Sequence, residues 1–390
     1  MRSPLRPLVA FLAVALSIFG GLHAYLWIRL VRDVALPAPW HRIATIALAL
    51  LAISGPIMLF ASRQLPERIA RMLSTAAFSW MGVGFLLVVL LASFDVLRLI
   101  LAAGIWSFGQ ESAFDASRRL FLSRVMAGTA GAAGAALGAV ALRNGLGDIE
   151  VREVPIQLAR LPRELSGLTI VQLTDLHIGS TAGGAFVQQI IEKTQALRPD
   201  IVCITGDLVD GSVERLGPLV APLATLRSRY GTFFITGNHE YYSGADAWLA
   251  ELSRIGIRTL RNERVSIGDA ASFDLAGVDD WMANIPGHGP NLARALAGRA
   301  TDRELVLLAH QPKQIHEAAQ MGVGLQLSGH THGGQIAPFG ALVALTQPFI
   351  AGHHHVGSTQ IYVSCGTGTW GPPMRLGAPA ELTKLVLVAG

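Results

Sequence analysis

Four long apolar runs crowd into the first 145 of 390 residues and limit what this chain can fold into. A helix needs roughly 20 apolar residues to cross the hydrocarbon core of a bilayer. Segments 8–31, 43–62, 76–105 and 120–142 reach that length and predict about four membrane helices within residues 1–145. Composition agrees: 51% hydrophobic and 15% charged residues are too apolar for an ordinary soluble protein. The third run holds Asp95 and Arg98, which are costly in lipid unless paired. Three residues apart, they either share a helix face and neutralise one another or lie on an extension beyond the span.

The fourth run, rich in Gly and Ala, suits a packed helix interface or an export-signal core. It follows Ser117-Arg118-Arg119-Leu120-Phe121-Leu122, a twin arginine ahead of an apolar stretch. As an export signal or as stop-transfer arginines, this pair stays in the cytoplasm. The chain after the fourth run is therefore expected outside the cytoplasm, in an integral protein of the cell (inner) membrane. The other flanking arginines do not settle orientation. Arg29, Arg32 and Arg42 line the first loop, Arg63, Arg68 and Arg71 the second, and Arg2 and Arg6 the N-terminus. The net charge of +4 goes with these arginines and not with nucleic-acid binding. The two cysteines, Cys203 and Cys365, sit in separate strand-like runs and form no metal-spaced pair.

Charge returns at 143–152, after Asn-Gly-Leu-Gly-Asp breaks any helix, and residues 150–390 read as a globular domain of alternating strands and helices. Thr169-Ile170-Val171-Gln172-Leu173 is a buried-strand pattern ending in Thr174-Asp175-Leu176-His177. In extended backbone Asp175 and His177 point to one side and can converge on one ion. The next two strand patterns end in Gly206-Asp207-Leu208-Val209-Asp210 and Gly237-Asn238-His239-Glu240. Later apolar runs end in His310-Gln311-Pro312 and in Gly329-His330-Thr331-His332-Gly333-Gly334. One strand-end Asp or His is usually a cap or a satisfied polar group. Five such motifs in this order point instead to the carboxyl edge of an α/β sheet, where loops converge on a ligand. Carboxylate, amide and imidazole without thiolate suit Mn, Fe, Zn or Mg rather than a soft metal.

This ordered set resembles the calcineurin-like metallophosphoesterase superfamily: Asp-x-His, Gly-Asp-x-x-Asp, Gly-Asn-His-Glu, an isolated His and Gly-His-x-His. The likeness spans about residues 150–390. It is closest to the membrane-associated YkuE/YaeI-like branch, through Leu327–Ile336, Pro338-Phe339-Gly340 and Ile361–Gly368. The resemblance implies a four-layer α/β/β/α sandwich with a dinuclear site. Asp175, His177 and His332 would bind one metal, Asn238, His310 and His330 the other, and Asp207 would bridge them. Of the suitable metals Mn is favoured, and a hydroxide shared by the ions would attack phosphorus in line. His239 would protonate the leaving oxygen, with Asp210 orienting its ring.

The implied reaction is hydrolysis of phosphomonoester, phosphodiester or pyrophosphate bonds. Membrane anchoring and the YaeI-like relatives point to a lipid-linked substrate of the UDP-diacylglucosamine type. The alternative is a non-catalytic membrane receptor or scaffold retaining the fold. Its mark would be a broken ligand set, whereas every expected ligand position is filled.

Two departures stand out. Phosphoprotein phosphatases of this superfamily carry Arg after Gly-Asp-x-x-Asp, and here Gly211 follows Asp210. His353-His354-His355 is unusual and is expected to be a solvated loop rather than an accessory metal site, since adjacent residues do not easily face one ion. Arg375 could contact a phosphate, and Trp281 or Trp370 could wall a lipid-facing cleft, although each is more often structural. Glu240 is expected to order its turn. Substrate, native metals and oligomeric state are not legible in the sequence.

Overall fold

A computed structural model describes residues 5–62, 64–107, 115–283 and 285–390. Arg2 and Arg63, counted above among the flanking arginines, lie outside these residues. Two compact units divide the chain, Met1–Leu142 and Arg143–Gly390.

The first unit is helical: α1 (Leu5–Trp27), α2 (Ala38–Ala61), α3 (Glu67–Ser107) and α4 (Ala116–Gly145), which begins there. Within the described residues three stretches are long and apolar enough to cross a membrane, Ala38–Met58, Arg68–Gly104 and Ala116–Gly145. Among the described residues three spans thus stand where four were expected. The segment expected at 8–31 is helical, but it ends in a π-helical turn, Ile28–Arg32, that brings in Arg29 and Arg32. Those charges have a purpose within the unit. Asp95 does not pair with Arg98, the partner suggested by helix spacing. It takes Arg29 Nη2 at 2.5 Å and Nε at 3.0 Å, and Tyr25 Oη donates to it at 2.7 Å. An ion pair between helices thus offsets the cost of burying Asp95 in an apolar bundle.

The second unit contains two six-stranded sheets. The first combines β1 (Glu150–Leu158), β2 (Thr169–Leu173), β3 (Ile201–Ile204), β4 (Thr232–Phe234), β5 (Arg258–Thr259) and β12 (Glu381–Ala389) in the order β1-β12-β2-β3-β4-β5. The second orders β6 (Glu263–Gly268), β7 (Ser272–Gly277), β8 (Leu305–Leu308), β9 (Leu325–Ser328), β10 (Gly352–Val356) and β11 (Thr359–Val363) as β10-β11-β9-β8-β7-β6. Strands β2 to β5 run parallel, as do β7, β8, β9 and β11.

Period-two alternation builds the layers. In β3, Ile201 and Cys203 point into the core between the sheets, where Val306 and Leu308 of β8 join them. Val202 and Ile204 point the other way, against α5 (Gly184–Ala196), α6 (Val213–Val220) and α8 (Ala245–Arg254), with α7 (Asn238–Ser243) leading into the last. On the far side, Leu305 and Leu307 of β8 pack with Leu292, Ala295, Ile315 and Ala318 of short helices. Helix, sheet, sheet and helix layers follow, as the sequence resemblance implied. The parallel strands present their carboxyl ends as two rows of loops, and the polar motifs sit in those loops.

Candidate metal centre

Three groups of ligand-type side chains come together at that edge: the buried Asp175, His177 and His332, Asp207 with His310 and the half-buried His330, and His177 with the more exposed Asp210 and His239. Within each group the candidate atoms lie within 4.8 Å of one another. The convergence depends on the backbone. Asp175, His177, Asp207, His330 and His332 all have positive φ, between 46° and 70°, although none is Gly. Such conformations cost on the order of 1–3 kcal/mol each and persist where the surroundings enforce them, commonly at functional sites.

Backbone hydrogen bonds enforce them here. Asp175 N donates to Gly206 O and His177 N to Asp207 O, tying the end of β2 to that of β3. His330 N donates to both Asp175 oxygens at 3.0 Å, tying β9 to β2. Glu240 is wholly buried and accepts from the amides of Gly237, Asp207 and Leu208 at 2.6, 3.0 and 2.9 Å. It orders the turns around β3 and β4, and burial followed by the nearby Asp207 charge pushes its pKa up to about 7. Close approach also restricts side chains, since a Cβ on Gly329 would overlap Asp175 Oδ2 and Thr174 Oγ1.

The imidazoles are presented with one nitrogen free. His310 Nδ1 donates to Thr205 O at 2.8 Å, leaving Nε2 facing Asp207 Oδ2 at 3.2 Å. His177 Nδ1 meets Asp210 Oδ1 at 3.1 Å, and its Nε2 lies 3.1 Å from His332 Nε2 and 3.9 Å from Asp207 Oδ2. A donor fixed on the outer nitrogen and a lone pair on the inner one is the usual state of a metal-ligating histidine. Asn238 Oδ1 and His332 Nδ1 are buried without a hydrogen-bond partner. The orphaned Asn238 oxygen together with the opposed His177 and His332 Nε2 atoms fits a cation-binding site.

Asp207 is central to the electrostatics. Burial alone would raise its pKa, but His310 and then His239 hold it well below the usual carboxylate range. His310 is correspondingly held well above the usual imidazole value, the Asp207 carboxylate outweighing the cost of burial. His239 stands beside the two groups. Its Nδ1 meets Asp210 Oδ1 at 2.6 Å and its amide donates to Asp207 Oδ1 at 2.8 Å. Burial opposes charge on its ring, but Asp207 and Asp210 outweigh that and push its pKa up to about 9. Tyr242 and Trp370, both more than half exposed, stand 5.3 and 6.5 Å from its ring.

Arg375 takes the structural role of the two weighed for it, and one expectation is corrected. Arg375 is fully buried and does not face a substrate. Its guanidinium donates to the carbonyls of Cys365, Gly366, Gly368, Ala378 and Pro379, bracing the loop behind Asp175 and His332. His353–His355 is not a loop but lies in β10, paired antiparallel with β11. Adjacent side chains therefore face opposite ways: His354 stacks on Phe349 at 4.4 Å, while His353 and His355 share the exposed face. Sequence reading missed Lys313 and Gln311, which follow His310, and the buried Asp280 beyond β7, to which Gln311 donates. The apolar β7 run ending in Val278-Asp279-Asp280 repeats the strand-end signal and could have revealed the last.

Residues 168–334 match the family described as calcineurin-like phosphoesterase. A transmembrane protein with metallophosphoesterase domain from Bos taurus is 36% identical over 365 residues, 90% of this chain and 81% of its own length. An uncharacterized metallophosphoesterase from Campylobacter jejuni is 32% identical over 97% of this chain and 98% of its own. The uncharacterized metallophosphoesterase YkuE of Bacillus subtilis is 30% identical over 61% of this chain and 85% of its own. A chain that aligns along most of its length with such relatives, and carries these ligand groups at the same sheet edge, belongs to the calcineurin-like metallophosphoesterases.

Proposed function

We propose that this protein is a membrane-anchored hydrolase of phosphomonoester, phosphodiester or pyrophosphate bonds that works with two divalent cations, Mn favoured. The carrying observation is the position of Asp207. One oxygen, Oδ2, faces His310 of one ligand group at 3.2 Å and His177 of the other at 3.9 Å. A single carboxylate so placed can serve both groups, with Asp175, His177 and His332 holding one cation and Asn238, His310 and His330 the other. Bound there, divalent cations neutralise phosphoryl charge and lower the pKa of water.

The chain's own groups account for the rest. Asp210 accepts from His177 and His239 at once, so one carboxylate fixes the orientation of a ligand and of a proton donor. His239, anchored through Nδ1, is charged at neutral pH and turns Nε2 towards the site, 4.0 Å from Asp207 Oδ2, where it can protonate a leaving oxygen. Cations at the neighbouring ligands would oppose that charge and bring the proton closer to transfer at neutral pH.

An amphiphilic, lipid-linked substrate of the UDP-diacylglucosamine type fits the exposed aromatic residues beside His239 and the membrane-span-capable helices. Arg118 and Arg119 in the first turn of α4 support a catalytic unit outside the cytoplasm, in the cell (inner) membrane. A C-terminal green fluorescent protein fusion checks orientation, because fluorescence in the cytoplasm would refute it. For activity, the full chain in detergent is stripped of metal, reloaded with Mn²⁺ and given p-nitrophenyl phosphate, bis-p-nitrophenyl phosphate and a UDP-diacylglucosamine. Metal-dependent release of product is expected. Two bound ions per chain with none of these turned over would refute the hydrolase and leave the non-catalytic receptor.

A further inference from the structure

The site as described has carboxylates, imidazoles and an amide, but no lysine or arginine side chain turned to a substrate. Gly211 leaves none after Asp210, and Arg375 is engaged with carbonyls. Three lysines occur in the chain. Lys193 pairs with Asp148 at 2.9 Å and Lys384 with Glu153 at 3.0 Å. Lys313 has no carboxylate partner among the described residues, and its Nζ lies 4.9 Å from the centre of the Trp281 ring.

The positions of both residues are set from below by a buried polar chain. Lys313 N donates to Gln347 Oε1 at 3.2 Å, and Gln347 Nε2 donates to Gln311 Oε1 at 3.3 Å. Gln311 Nε2 reaches both Asp280 oxygens at 3.0 Å, and Asp280 Oδ1 accepts from Met282 N at 2.7 Å. Asp280, Gln311 and Gln347 are buried, whereas Trp281 is half exposed. The arrangement starts at His310, three residues before Lys313, and places an unpaired ammonium on an aromatic face beside the ligand groups. An ammonium with no carboxylate in direct ion-pair contact, partly desolvated and backed by a ring, is a point charge available to an anion.

The geometry points to Lys313 as the group that receives a phosphoryl oxygen of the substrate, with Trp281 as the wall along which the rest of the substrate lies. This rests on the phosphoesterase reading for the identity of the substrate, but not for the binding of phosphate. Lys313 is a binding residue, so its loss should weaken uptake more than turnover.

The test uses the full chain in detergent, loaded with Mn²⁺, with inorganic phosphate titrated calorimetrically into wild type, Lys313→Met and Lys313→Arg. Lys313→Met should keep two Mn²⁺ per chain and bind phosphate roughly tenfold more weakly, the usual worth of a charge-assisted hydrogen bond. Lys313→Arg should recover most of the loss. With bis-p-nitrophenyl phosphate, KM should rise in Lys313→Met while kcat changes little. Phosphate binding as tight in Lys313→Met as in wild type overturns the assignment. Loss of manganese from that variant also overturns it, making the lysine structural. Lysine-dependent phosphate binding by a protein that hydrolyses no ester would keep Lys313 in this role and refute the hydrolase instead.

Discussion

His330 and His332 lie two residues apart just beyond β9, and His353 and His355 lie two residues apart within β10 of the same sheet. The first pair is drawn into two different ligand groups, and the second stays on an exposed strand face with ring centres 5.0 Å apart. Imidazole density is equal in the two places. The difference lies in the backbone: φ is 70° at His330 and 50° at His332, whereas β10 is extended and pairs regularly with β11. Convergence of the ligand-type side chains therefore depends on strained turns, one of them held by Asp175, and not on the number of histidines.

That contrast can be broken in several ways. Asp207→Asn carries the largest expected effect. It should remove metal and activity together, and a fully metallated, active variant in metal analysis and ester assays would end its role between the two groups. His239→Ala comes next, lowering kcat by about 10²-fold or more while both ions stay bound. Loss of metal would make His239 structural.

Gly329→Ala tests the turn itself, because its Cβ would overlap Asp175 and Thr174. Metal affinity measured against a chelator should fall by roughly 10–100-fold, as when the shell around a ligand is disturbed. Unchanged affinity would show that the turn tolerates slack. On the other side of the comparison, His354→Ala should cost about 1 kcal/mol in denaturant unfolding, through the lost stack on Phe349 and the lost contact with Ala351 O. Replacing both His353 and His355 with Ala should change stability by less than about 0.5 kcal/mol and leave two ions per chain. A third ion lost from that double variant would put β10 on the same footing as the β9 turn.

How far the site could be read from sequence follows the same physics. Each ligand-type residue stands directly after an apolar run, so the strand signal and the polar signal are adjacent in the chain and legible together. Lys313 was not, because Gln311 joins Gln347, 36 residues away, to Asp280, 31 residues away, and these set its position and that of Trp281. Arg29 was missed as the partner of Asp95 for a similar reason. Helix spacing shows neighbours on one helix only, and this pair joins residues 66 apart. Arg375 could be noticed as a charge near a turn, but nothing local showed that six carbonyls surround it. His353–His355 has weak strand propensity and became a strand through pairing with Thr359–Val363, a tertiary influence that overrides local preference.

One pairing in the first sheet has a consequence for biosynthesis. Strand β12 lies between β1 and β2, in register with Glu150–Leu158 on one side and antiparallel to Thr169–Gln172 on the other. The first strand of the metallophosphoesterase unit thus has no neighbour until β12 has been made. A ribosome still holding Glu381–Ala389 holds a domain with an open seam, its β1 backbone groups unpaired and its inner core missing Leu385 and Leu387. The membrane helices are complete more than two hundred residues earlier. Through that interval the emerging domain is a tethered, unfinished sheet, the state in which chaperones and proteases would meet it.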